Sequence, residues 1–186
     1  MRVATLSEML EEIVRLGEAT GMEAHAHEMR GDLEGRLASV RAAVAGAANP
    51  RVIALRRLDP PRVGGYWLPE MISIAGGEDV AGDPGLSPPK VGWGELESLR
   101  ADVVVVMPDV EVDGAQALAM EHWERIEALG AKQAFAVDGS AFADPSPRLV
   151  DAVELLGHLL HPELVDPPGN LAFTPLGAAV RRPAAD

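Results

Sequence analysis

The stretch Asp102-Val103-Val104-Val105-Val106-Met107 decides the fold of this chain. Its four consecutive valines show no apolar–polar alternation, and such a continuous apolar run is typical of a strand buried on both faces of a parallel sheet. Residues 51–57 and 134–138 contain two further short apolar runs that predict strands of the same sheet. Helical patterns lie between these strands and after the last one. The sequence therefore predicts a three-layer, Rossmann-like α/β lobe with a parallel sheet.

The first 50 residues carry a helical pattern instead. Thr5 and Glu8 fit a capping box at the start of one helix, and Thr20 and Glu23 fit a second. After the second box, apolar residues recur in steps of three and four and predict a long helix over residues 22–45, about 36 Å in length. These apolar residues are Met22, Ala26, Met29, Leu33, Leu37, Val40 and Val44. We predict either a surface helix of a globular domain or a spine that spans a larger molecule.

The composition excludes several classes of function. The 186 residues include 29 acidic and 16 basic side chains, and the formal charge of −13 repels phosphates, so nucleic acid is not an expected partner. The absence of cysteine excludes disulfides, thiolate metal sites and iron–sulfur clusters. No apolar run approaches the roughly 20 residues that span a bilayer, so no membrane insertion is expected. No signal peptide is recognisable, so the chain as written is expected in the cytoplasm, or outside it if the chain is a fragment of an exported protein.

No motif for catalysis or for a metal site is recognisable. The dinucleotide fingerprint G-x-G-x-x-G and the P-loop are both absent. Ser140 follows Asp138-Gly139, but the second glycine of a nucleophile elbow is missing. His158 and His161 stand three residues apart without a nearby acid that would complete a metal-binding set. We therefore predict neither an enzyme nor a metal-binding protein.

Seven short stretches between residues 58 and 151 form a recognisable series. In order and spacing, residues 51–163 resemble the C-terminal lobe of the class III periplasmic substrate-binding proteins of ABC transporters. The likeness is greatest to their cobalamin-binding, BtuF-like branch. The stretches are Leu58-Asp59-Pro60-Pro61, Gly65-Tyr66-Trp67-Leu68-Pro69-Glu70-Met71, Ala75-Gly76-Gly77-Glu78-Asp79-Val80, Val91-Gly92-Trp93-Gly94-Glu95-Leu96, Ala101–Pro108, Ala136–Phe142 and Ser146–Asp151.

The resemblance implies a division of the chain into three parts. Residues 1–50 are expected to be the end of a first lobe followed by the spine helix. Residues 51–163 are expected to be the C-terminal ligand-binding lobe, and residues 164–186 a flexible tail. The first lobe of the family would precede residue 1. Without that lobe, residues 1–30 are expected to fold back on the α/β lobe, to pair with a second copy in a homodimer, or to remain mobile.

The resemblance also implies a ligand site over the loops at the ends of the sheet strands, where ligands of open α/β sheets bind. The candidate ligand-binding residues are Arg57, Asp59, Tyr66, Trp67, Asp109, Ser140 and Phe142. Tyr66 and Trp67 are expected to give an aromatic wall to a flat macrocycle such as cobalamin. Arg56 and Arg57 stand where related sequences have an acid–aromatic pair, so this site carries more charge than the resemblance implies.

Two functions agree with these features. The first is the substrate-binding component, or a truncated half of one, of an ABC-type uptake system. It would capture cobalamin or another metal chelate at the lobe cleft without catalysis, and an ABC transporter permease would be its partner. The alternative is a degenerate cytoplasmic relative that has lost its ligand and acts through protein–protein contact.

Overall fold

A computed structural model describes residues 3–177 of the chain. The described part contains seven α-helices and six strands. The helices are α1 (Leu6–Thr20), α2 (Glu23–Ala43), α3 (Leu68–Ile74), α4 (Trp93–Leu99), α5 (Val112–Glu121), α6 (Trp123–Ala128) and α7 (Arg148–Leu160). The strands are β1 (Arg51–Leu58), β2 (Pro61–Val63), β3 (Glu78–Asp79), β4 (Val103–Val106), β5 (Gln133–Val137) and β6 (Phe173–Leu176). Within residues 3–177, no helix is long and apolar enough to cross a membrane.

The strands form one sheet in the order β2-β1-β4-β5-β6, with β3 also paired to β1. β1, β4 and β5 run parallel to one another, with Val52 opposite Val103 and Val104 opposite Ala134. β2 and β6 are antiparallel additions at the two sides of this parallel centre. The three predicted strands are therefore confirmed, and they form the centre of a larger sheet.

β4 lies at the centre of the sheet, and its four valines are at most 3% exposed. Val103 and Val105 face a core formed with α1, α2, α3 and α7, whereas Val104 and Val106 face a second core formed with α4, α5 and α6. Because helices cover both faces, every residue of β4 is apolar and the strand shows no alternation. The predicted three-layer α/β lobe is confirmed.

The first two helices form an antiparallel hairpin. The hydroxyl of Thr5 caps α1 by accepting from the amide of Glu8 at 3.1 Å. The second predicted capping box does not form, because Thr20 is still inside α1 and its hydroxyl donates to the carbonyl of Leu16 at 2.7 Å. α2 begins without a side-chain cap and is about 31 Å long. The long helix predicted over residues 22–45 is thus present, one to two residues shorter at each end.

The hairpin packs on the α/β lobe. Leu6, Met9 and Leu10 of α1 are 1%, 1% and 6% exposed, and they belong to the same core as the sheet. Of the three outcomes expected for residues 1–30, the described part from residue 3 onward shows folding back. The apolar face of α1 is therefore covered within the same chain.

A charged cluster joins α2 to α7. The guanidinium of Arg36 donates to both carboxylate oxygens of Glu154, at 2.8 and 2.7 Å, and to Asp151. The side chain of Asn170 donates to the other oxygen of Asp151 at 2.7 Å. A planar guanidinium shared by two carboxylates fixes the orientation of the two helices more tightly than a single ion pair does.

The expectation of a flexible tail is wrong for residues 164–177. This segment returns along the sheet and adds β6, which pairs antiparallel with β5. Val165, Leu171 and Leu176 are 7–9% exposed, and the ring Nδ1 of His158 donates to the carbonyl of Val165 at 2.8 Å. The burial of these apolar side chains offsets the conformational entropy lost when the segment is ordered. The rest of the predicted tail, residues 178–186, lies outside the described residues.

Candidate ligand-binding site

The carboxyl ends of β1, β4 and β5 meet at one edge of the sheet, which we call the carboxyl edge. Two hydrogen bonds connect the loops that leave it. Arg56, near the end of β1, donates through Nη1 to the carbonyl of Gly139 after β5, at 3.2 Å. The amide of Gly139 donates to the carbonyl of Val110 after β4, also at 3.2 Å. The three loops that the sequence assigned to one site are therefore brought together.

Gly139 allows these loops to approach closely. A Cβ atom at this position would lie 1.8 Å from the carbonyl oxygen of Pro108, which is well inside contact distance. The carboxylate of Asp138 accepts from the amide of Ser140 at 2.9 Å and so begins the short 3-10 turn Gly139–Phe142. The loop after β5 is thus held directly against the loop after β4.

Trp67 is half-buried and precedes α3. Its Nε1 donates to the carbonyl of Phe142 at 3.1 Å, and the indole also packs against the core on that side of the sheet. The ring of Tyr66 lies beside it, with centroids 6.0 Å apart and planes inclined by 35°. The two rings are therefore neighbours, and Trp67 is tied to the loop after β5.

Tyr66 is held by the loop that contains Asp83–Pro88. Its amide donates to the carbonyl of Leu86 at 2.7 Å, and its carbonyl accepts from the amide of Gly85 at 2.8 Å. The hydroxyls of Tyr66 and Ser87 lie 3.2 Å apart. Tyr66 has a φ of 56°, a left-handed conformation that is uncommon for a residue other than glycine. Such a conformation persists only when the surroundings impose it, and here the paired loop does so.

Arg57 and Asp59 lie at the outer side of this edge. Arg57 is exposed, and its Nε donates to the carbonyl of Pro60 at 3.0 Å. Asp59 is exposed too, and it is joined to Pro60 by a cis peptide bond. Both side chains are accessible to a ligand, but neither contacts the aromatic pair through a hydrogen bond among the described residues.

The remaining predicted site residues lie in the loops after β4 and β5. The side chains of Asp109 and Ser140 are exposed at the carboxyl edge. Phe142 differs, because its ring is only 2% exposed and belongs to the core below Trp67. The ring of Phe142 therefore does not line the surface. Its contribution to the site is the backbone carbonyl that positions Trp67.

Arg56 is a further candidate site residue, and the sequence prediction omitted it. Unlike Arg57, it is half-buried, and its side chain crosses the end of β4 to reach the loop after β5. Burial lowers the pKa of the Arg56 guanidinium, and the nearby carboxylates of Asp109 and Asp144 act in the opposite direction. The sequence contained one signal for this role of Arg56. Arg56 and Arg57 are neighbours in a predicted strand, and because side chains alternate between the two faces of a strand, one of the two points inward.

Asp79 anchors the loop that carries Leu86. Its Oδ1 accepts from the amides of Ala81 and Gly82, both at 2.9 Å. Its Oδ2 is buried and has no hydrogen-bond partner among the described residues. Burial raises the pKa of Asp79 to about 6, and the charge of Asp83 raises it as well. The loop against Tyr66 thus depends on a carboxyl group that is costly to ionise.

His158 and His161, the two histidines that stand three residues apart, are each in contact with a backbone carbonyl. The buried ring of His161 lies with Nε2 3.1 Å from the carbonyl of Gly76, and His158 bonds the carbonyl of Val165. Within residues 3–177, no group of three or more histidine, aspartate or glutamate side chains is arranged to hold a metal ion.

No protein-family model matches the sequence, and no curated protein matches it at a significant level. Solved structures do match. An ABC transporter substrate-binding protein from Listeria monocytogenes aligns with a TM-score of 0.75 and 19% identity over 87% of this chain. The vitamin B12-binding protein BtuF of Vibrio cholerae aligns with a TM-score of 0.69 and 21% identity over 86% of this chain. A periplasmic heme-binding protein from Pseudomonas aeruginosa aligns with a TM-score of 0.70 and 18% identity over 94% of this chain.

The alignments cover 66%, 62% and 63% of these three proteins, respectively. The chain therefore spans less than two thirds of the length of the proteins it matches. Identities of this size show the fold alone, since one fold serves many functions. The fold of this chain is that of the matched part of the class III periplasmic substrate-binding proteins, the BtuF-like branch among them, as the resemblance in the sequence implied.

Proposed function

We propose that the chain belongs to a substrate-binding protein of an ABC-type uptake system, and that its carboxyl edge forms one wall of the ligand site. The ligand is a metal chelate, either cobalamin or another flat macrocycle of that kind, captured without catalysis. The observation that carries this proposal is the Tyr66–Trp67 pair, held at the carboxyl edge by the carbonyl of Phe142 and by the loop at Leu86.

The chemistry of the carboxyl edge supports a flat ligand. Aromatic faces offer large apolar contact area at a small entropic cost, while a few polar groups around them fix the orientation of the ligand. Ser140, Asp109 and the two arginines of β1 supply such polar groups. Vitamin B12 and heme, which the names of two similar structures specify, both hold a metal ion in a macrocyclic ring. An ABC transporter permease, as the receiving partner, belongs to the same proposal.

A ligand site with a single wall limits the affinity of the chain for its ligand. The described residues form one lobe, whereas good ligand sites bury about 70–90% of the ligand surface. A ligand on one wall keeps its other face in water. We therefore expect cyanocobalamin to bind the chain with a dissociation constant weaker than about 1 μM, equivalent to a binding free energy of about −8 kcal/mol. Sub-micromolar affinity of a monomer would show that one lobe suffices.

Replacement of Trp67 tests the aromatic wall. Trp67→Ala should weaken binding of cyanocobalamin and of hemin about tenfold or more, because stacking area is lost at the centre of the site. Trp123→Ala is the matched control, since Trp123 is also half-buried but packs against the core on the opposite face of the sheet. Calorimetric titration of both variants and the wild type gives the comparison. Equal losses in the two variants, or no loss in either, would contradict the proposed site.

A further inference from the structure

We infer that the ligand carries a carboxylate, and that Arg56 binds it. This inference rests on the proposed function and narrows the class of ligand. It separates acidic chelates and macrocycles from neutral ones. Arg56 becomes a specificity-determining residue of the carboxyl edge.

The position of Arg56 carries the inference. Its side chain extends from β1 across the end of β4, so the guanidinium lies over the middle of the carboxyl edge. The hydrogen bond to Gly139 uses one of the five N–H donors of a guanidinium. In the part of the chain that the structure describes, no carboxylate lies within 4.0 Å of Arg56. Several donors of a half-buried cation are thus left for a partner outside these residues.

The surrounding charges do not satisfy this cation. Asp109 and Asp144 influence Arg56 through space, but both are exposed and neither forms an ion pair with it among the described residues. A carboxylate of the ligand can meet the planar guanidinium with two parallel hydrogen bonds, which is the geometry that arginine favours. A half-buried guanidinium gains more from such a pair than an exposed one does, since water screens it less.

Arg62 lacks these features, although it lies on the neighbouring strand β2 and carries the same charge. Its side chain is exposed, and Arg62 is paired with Arg57 where β2 runs along β1. The net charge of −13 repels any anionic ligand at long range, but this repulsion is nearly the same for variants at positions 56 and 62. Arg56 and Arg62 therefore form a matched pair for an experiment.

The experiment compares hemin, which has two carboxylates, with hemin dimethyl ester, in which both are blocked, and with neutral cyanocobalamin. Binding is followed by the absorbance of each macrocycle with the wild type, Arg56→Gln, Arg56→Lys and Arg62→Gln. We expect Arg56→Gln to weaken hemin binding about 10-fold to 100-fold, as is typical for loss of a charged hydrogen-bond pair. Arg56→Lys should recover part of the loss, and Arg62→Gln should change affinity less than about threefold. The diester should bind the wild type and Arg56→Gln equally.

Other results of this experiment distinguish a failure of the carboxylate inference from a failure of the proposed function. If hemin and its diester bind the wild type equally well, the carboxylate inference is overturned, while the proposed function stands. This comparison needs no variant, so it holds even if Arg56→Gln fails to fold. Equal losses of hemin affinity in Arg56→Gln and Arg62→Gln also overturn the inference. If none of the three macrocycles binds the wild type, the proposed function fails and the inference fails with it.

Discussion

Asp79 makes stability depend on pH. Because burial raises the pKa of its carboxyl from 3.8 to about 6, the folded protein holds this proton more tightly than the unfolded chain does. The stability that Asp79 contributes is fully present below about pH 3.8 and is lost as the pH rises through about 6. Above that pH, the group is an ion with one buried oxygen that lacks a partner among the described residues.

Asp79→Asn should therefore gain stability relative to the wild type as the pH rises from 4.5 to 7.5. The amide oxygen keeps the two bonds to Ala81 and Gly82, and no charge has to be buried. The upper limit of this gain in the free energy of unfolding is about 3 kcal/mol. It follows from the rise in the pKa from 3.8 to about 6, at about 1.36 kcal/mol for each pKa unit. Urea unfolding at both pH values measures it. Asp32→Asn, an exposed change on α2 that leaves the charge of Asp83 in place, is the control, and an Asp79→Asn difference that is identical at both pH values would contradict the assignment.

Single residues of the site were predictable from sequence only in part. The placement of Tyr66, Trp67, Asp109 and Ser140 at the carboxyl edge follows from strand order and the loops after each strand. The choice between Arg56 and Arg57 depends on strand register and on the irregular pairing of β1 with β2 between Leu55 and Arg57. Whether the ring of Phe142 faces the core or the surface depends on the 3-10 turn that begins at Asp138. Neither detail is visible in a local pattern.

At the scale of elements, α1 is stabilised by packing on the lobe and not by the helix propensity of its own residues. Leu10→Glu should destabilise the protein by about 2–5 kcal/mol, because it replaces a side chain that is 6% exposed in the core with a charged one. Leu16→Glu on the same helix is the control. Leu16 is 57% exposed, so its change should cost less than about 0.5 kcal/mol.

Chemical denaturation of the two α1 variants gives these energies, and hydrogen exchange over residues 6–16 shows where the loss arises. Leu10→Glu should lower protection across α1, whereas Leu16→Glu should leave it near the wild-type level. If the two variants had equal stability, α1 would not be packed on the lobe in solution. Pairing with a second copy would then be the better account of its apolar face.

The elements with strong local patterns were predictable, and those made by pairing alone were not. The valine run of β4 and the stepwise apolar positions of α2 are periodic or continuous signals that tertiary packing reinforces. β6 has no such signal, since Phe173-Thr174-Pro175-Leu176 follows a Pro- and Gly-rich segment and becomes a strand only against β5. The division at His122 between α5 and α6 also lacks a glycine or proline to mark it.

At the scale of the whole molecule, the described residues form an α/β lobe and a helical hairpin that packs on it. Arg36 joins α2 to α7, and Glu70 of α3 accepts from the amide of Leu6 at 2.8 Å. The carboxyl edge remains accessible beside these contacts, with its aromatic pair and its half-buried arginine. A ligand should therefore find this edge preformed, as in most small-molecule sites.

The central claim is that the carboxyl edge is the ligand-binding face. The most direct test is a titration of ¹⁵N-labelled protein with cyanocobalamin, followed by amide chemical shifts. We predict that the shifts change in three segments at this edge, residues 56–67, 107–110 and 138–142, and that α2 and the amino ends of the strands stay unperturbed. Shift changes confined to the α1–α2 hairpin, or to the opposite edge of the sheet, would contradict the claim.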